Sequence, residues 1–83
     1  MTLTAEAMPP EQRDMLERMA RGRRRILALQ REVIELPLDH PLRPLAREAA
    51  LGFAQHANLT GIGNSDAAWQ VVERALIDEG VTL

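Results

Sequence analysis

The stretch PEQRDMLERMARGRRRILALQREVIEL, residues 10–36, decides the fold. Met15, Met19, Gly22, Ile26, Leu29, Val33 and Leu36 recur along it at alternating steps of four and three, the heptad spacing of a helix with an apolar seam. With Met19, Ile26 and Val33 at a and Met15, Gly22, Leu29 and Leu36 at d, its second half has the β-branched a and leucine d pattern of two-stranded association. A second apolar line, Leu16, Ala20, Leu27 and Ile34, runs beside the seam. One line can hold the helices of its own chain while the other receives a second subunit; the alternative is a single broad core stripe. The spacing predicts a long first helix, about 10–36, and a homodimer that self-associates through Met19, Ile26, Leu29, Val33 and Leu36.

The boundaries follow from local chemistry. Pro10 suits a first helical position, and Glu11 and Asp14 complement the positive end of the helix dipole. Leu36 precedes Pro37 and is pushed out of the α region, so the helix ends there and a stiff connector with Pro37, Pro41 and Pro44 follows. A second helix is expected over about 44–57, its face made of Leu45, Ala46, Ala49, Ala50, Phe53, Ala54 and Ala57, with Phe53 as anchor and Asn58 as C-terminal cap. Ser65 or Asn64 caps a third helix over about 66–79, with Trp69, Val72 and Leu76 inward and Gly80-Val81 as its stop. Residues 1–8 read as a flexible arm rather than a strand. The expected fold is a small all-α, three-helix domain spanning 1–83.

Composition narrows the class. At 83 residues with 46% apolar content, only Phe53 and Trp69 as aromatics and no cysteine, the core must be thin and aliphatic, with no disulfide or thiolate metal site. Oligomerisation is a common remedy for so small a core. Residues 1–8 carry no positive charge and no long apolar run, so they are not expected to be a secretory signal, and no run of 18 apolar residues occurs; a cytoplasmic protein is the default expectation and the Asn58-Leu59-Thr60 sequon an accident. All ten basic residues are Arg, which suggests a GC-rich bacterial genome. Net charge is −2, with seven Arg against six acids in residues 1–36 and one Arg against four acids in residues 58–83. That balance argues against a surface given over to nucleic acid.

Arg21-Gly22-Arg23-Arg24-Arg25 is the most conspicuous charged run. Consecutive helical residues fan around the axis, so only part of it can meet one partner. Arg23, Arg24 and Arg25 form a candidate patch for a protein or, less favoured, nucleic acid. Asp14 with Arg18, Glu17 with Arg21, and Arg31 with Glu35 are spaced for ion pairs along the helix. Asp78 and Glu79 lie where the dipole prefers cations and are expected to meet Arg23, Arg24 or Arg25. Gly22 costs about 1 kcal/mol in a helix interior and marks a place for a bend or break.

Nothing points to catalysis or a cofactor. His40 and His56 lack partners for a metal site or a triad. Gly61-Ile62-Gly63-Asn64-Ser65-Asp66 lacks the strand and the Gly-Lys-Ser/Thr ending of a phosphate loop. The link between helices two and three is too long, and helix three too acidic, for a helix-turn-helix.

The start Thr2-Leu3-Thr4-Ala5-Glu6-Ala7-Met8-Pro9-Pro10-Glu11, followed by Leu16-Glu17-Arg18-Met19-Ala20-Arg21-Gly22-Arg23 and Arg31-Glu32-Val33-Ile34, loosely resembles ribbon-helix-helix repressors and antitoxins. The resemblance covers residues 2–36. It implies an obligate dimer whose paired N-terminal strands enter the DNA major groove with Thr2, Thr4 and Glu6 facing bases, and a remaining chain that binds a partner. The chain departs from that pattern in its short turn at Gly22, in Gln12 and Arg13 at apolar positions, and in an acid at Glu6. The reading favoured by the residues themselves is a small, non-catalytic interaction or regulatory module.

Overall fold

The computed structural model describes residues 9–83, so the arm and any N-terminal ribbon lie outside the described residues. Three helices follow in order: α1 (Pro10–Ile34), α2 (Leu42–Leu59) and α3 (Asp66–Asp78). The all-α expectation and the long first helix both hold.

Pro10 sits at the start of α1 with Glu11 in its first turn, as the dipole favours. The helix passes through Gly22 without a break. It stops two residues short of Leu36, its last turn tightening as the amides of Glu35 and Leu36 donate to the carbonyls of Glu32 and Val33 at 3.2 and 3.1 Å. Arg43 then closes the end. Its guanidinium donates to the carbonyls of Ile34 (3.2 Å), Leu36 (2.8 Å) and Pro37 (3.0 Å); that of Ile34 is one the helix terminus leaves unpaired.

α2 begins two residues before Pro44, because a proline in the first turn removes an amide that had no helical acceptor anyway. His40 contributes here, its Nδ1 accepting from the Leu42 amide at 3.1 Å. The helix also runs past Asn58. Its stop is Gly61, at φ +83°, a backbone conformation that glycine reaches without a Cβ clash. Ser65 caps α3 as expected, its Oγ accepting from the Ala68 amide at 3.1 Å. At the other end Gly80 turns left-handed (φ +92°) and donates to Ile77 at 2.9 Å, while Val81 donates to Leu76 at 3.0 Å. This is a Schellman ending.

Both α2 and α3 run antiparallel to α1, α2 reaching from the Ile34 end back to the Leu16 to Ala20 region that α3 also covers, and the molecule measures 47 × 24 × 21 Å. Their backbones do not approach each other. The link between them is the Phe53–Trp69 ring contact, with centroids 5.3 Å apart. Leu16, Met19 and Ala20 of α1, Ala57 of α2, and Trp69, Val72, Ala75 and Leu76 of α3 form the buried core. Trp69 is fully enclosed, and its indole N–H donates to the Gly63 carbonyl at 2.9 Å. Phe53 is only half-buried at the edge of this core. Beyond it, between the C-terminal half of α1 and the N-terminal half of α2, only Val33 and Ala46 are buried.

Candidate functional site

The arginine run is spent largely on holding α3. Because α3 runs antiparallel, its first residues face the middle of α1 and its last residues face the start. Arg23, itself buried, pairs with Asp66; Arg24 meets Glu73 at 2.6 Å; Arg13 meets Glu79 at 3.2 Å. Glu73 raises the affinity of the Arg24 guanidinium for its proton, first through the hydrogen bond and then through its charge. Arg21 pairs with Glu17 at 2.8 Å and donates to the Thr82 carbonyl at 2.9 Å, fastening the C-terminal residues back onto α1.

Several expected pairings differ. Glu79 meets Arg13 rather than the run at 23–25, since direction, not charge density, selects the partner. Arg18 donates to the Asp14 backbone carbonyl at 3.4 Å instead of its carboxylate. No Arg31–Glu35 ion pair forms, in keeping with the small worth of exposed pairs on a helix. Of the candidate patch, Arg23 and Arg24 are thus committed within the chain. Arg25 is exposed and has no ion-pair partner among the described residues.

The heptad seam is divided between two environments. Met19 and Val33, at a, are buried within the chain, and Ile26 is half-buried. At d, Leu29 and Leu36 are half-buried, and Gly22 has open space where a Cβ would be. A step of 100° per residue turns Gly22 and Leu29 to the side of the α1–α2 hairpin away from α3, together with Leu45, Ala49 and Gly52 of α2. Leu45 is 56% exposed, and a Cβ at Gly52 would likewise meet nothing. Leu45 and Ala49, expected on the packing face of α2, are instead exposed, because α1 is met by the neighbouring stripe of Ala46, Phe53 and Ala57.

The other side of the hairpin carries a groove. It encloses about 600 Å³ between Gln30 and Ile34 of α1 and Ala50, Leu51 and Ala54 of α2, and it continues to the start of α3 past Leu27 and Phe53. Ile34, on the second apolar line, is 71% exposed there, whereas Leu16 and Ala20 on the same line are covered by α3.

The other motifs acquire structural roles. His40 caps a turn, His56 is exposed on α2, and no group of three or more potential metal ligands occurs among the described residues. The glycine loop orients Trp69, and the N-terminal end of α3 is already met by Ser65 and Asp66. No helix among the described residues is long and apolar enough to cross a membrane. The chain matches no protein-family model, no curated protein and no solved structure.

Proposed function

We propose that this protein is a small interaction module without catalytic machinery, which self-associates through the side of the α1–α2 hairpin bearing Gly22, Leu29, Leu45 and Gly52. The observation that carries this reading is the pair of mid-helix glycines. Each sacrifices about 1 kcal/mol of helix stability relative to alanine, and neither has an intrachain neighbour that would require it. Each lies two turns from an incompletely covered leucine on the same face, Gly22 from Leu29 and Gly52 from Leu45. Small residues flanked by leucines allow the close approach of a second helix, and in a two-fold pairing each copy supplies the same surface to the other. Met19 and Val33 contribute by holding α2 in place, so the intermolecular surface is the d line of the seam, chiefly Leu29 with Leu36, and Ile26 at its edge.

The ribbon-helix-helix alternative draws no comparable support. That arrangement needs a turn between two short helices at Gly22, where α1 is continuous.

Sedimentation or light scattering tests the proposal. The expected mass at micromolar concentration is twice the 9.3 kDa of one chain, falling to that of a monomer of unchanged helicity in Leu29→Arg and in Leu45→Arg. A wild-type chain that stays monomeric up to about millimolar concentration, the weak limit of useful association, would overturn it.

A further inference from the structure

We propose that the groove on the opposite side of the hairpin receives an acidic amphipathic helix from a partner protein, lying end to end with α3. The proposal shares with the preceding section only the reading of the chain as an interaction module, because it concerns a different face. The groove extends from the Arg23–Asp66 pair at the start of α3 to Ile34, a run of about 17 Å or three helical turns along α1. In the N-terminal half of the molecule the same stripe of α1 is covered by α3 through Leu16 and Ala20. In the C-terminal half it continues as the half-buried Leu27 and the exposed Ile34, over which no helix lies among the described residues, and Ala50 and Ala54 keep the α2 wall low. The space is that of a missing third helix, and an amphipathic helix laid into such a groove is a recurrent mode of recognition.

Charge selects the occupant. Arg31 and Arg47 stand exposed beside the groove, one on each helix. Asp66 and Glu73, which line the α1–α3 surface beside Arg31, are occupied by Arg23 and Arg24, and neither Arg31 nor Arg47 forms an ion pair among the described residues. A helix with leucines along one stripe and glutamates on both flanks satisfies floor and rim together. A second copy joined groove to groove would instead bring both pairs of guanidiniums against each other.

The test uses two labelled peptides of about eighteen residues, long enough for appreciable helix, with leucine at positions i, i+3, i+4 and i+7, one flanked by Glu and the other by Lys. Fluorescence anisotropy with the full chain is expected to show the Glu peptide binding at least about tenfold tighter, a difference that salt reduces and that Arg31→Glu combined with Arg47→Glu inverts. Ala50→Glu blocks the floor; the exposed double variant keeps the result interpretable should Ala50→Glu fail to fold. Equal affinity for the two peptides, or no binding of the Glu peptide below about 1 mM, would overturn the proposal. So would concentration-dependent assembly that Ala50→Glu abolishes and Leu29→Arg does not, because the occupant would then be a second copy. Loss of dimerisation in Leu29→Arg with peptide binding retained would leave this proposal standing and separate it from the self-association reading.

Discussion

Residues 10–24 and 25–34 of α1 belong to one unbroken helix and carry similar apolar patterns, yet they live in different surroundings. The first half is enclosed by α3, by the end of α2 and by the C-terminal residues, and it holds Leu16, Met19 and Ala20 out of water. The second half rests mainly on α2, with only the start of α3 beside it, and buries only Val33. Helix-forming tendency cannot account for the contrast. What differs is cover, and the less covered half carries most of the two surfaces argued to bind other chains, which begin at Gly22 and Arg23. In a domain of this size, surface-to-volume scaling allows one compact core, and that core sits at the α3 end.

The largest test of the contrast is a pair of truncations. Trp69→Ala should cost about 3–5 kcal/mol in urea unfolding, a large part of a small domain's total stability. Leu51→Ala in the open half should fall within about 0.5 kcal/mol. Equal losses would mean that the two halves share one core and the comparison fails.

Next in size is Arg43→Ala. Its guanidinium ties the last carbonyl of α1, that of Ile34, to those of Leu36 and Pro37 in the connector, and its removal should cost about 1–2 kcal/mol. Amide exchange should accelerate around residues 31–45 and remain unchanged in α3. Acceleration throughout would show that the hairpin end is coupled to the core.

How much of this was legible in advance depends on whether a feature is local. Ser65 and Gly80 act within a turn of their own position, and their caps, with the existence of all three helices, could be read directly. The bounds of α2 could not, because Pro41 and Pro44 look like breakers until one knows that both sit where helical amides lack acceptors. The partners of the arginines were hidden for another reason. Charge composition favoured a meeting of Glu79 with residues 23–25, but the antiparallel course of α3 delivers Asp66 and Glu73 there and carries Glu79 to Arg13. The seam itself was visible, but the burial of Met19 and Val33 against the half-exposure of Leu29 and Leu36 rests on where α2 crosses, which no periodicity in α1 specifies.

Smaller effects sharpen the account. Gly22→Ala should stabilise the dilute monomer by about 0.5–1 kcal/mol, since the added methyl meets nothing and the helix gains propensity. The same substitution should weaken self-association, so thermal melts at low and high concentration should shift in opposite directions. A gain at both would remove the reason offered for the glycine. Smallest of all, Arg24→Ala should leave the unfolding midpoint almost unchanged, as expected for an exposed ion pair, and moderate salt should erase any difference.

The most direct measurement is amide hydrogen exchange at two protein concentrations. In dilute solution, residues 14–24 and 68–77 should be protected far more strongly than residues 26–34 and 42–52; raising the concentration should slow exchange in the second set alone. Uniform protection that ignores concentration would contradict the account, because it would mean that the open half needs no partner.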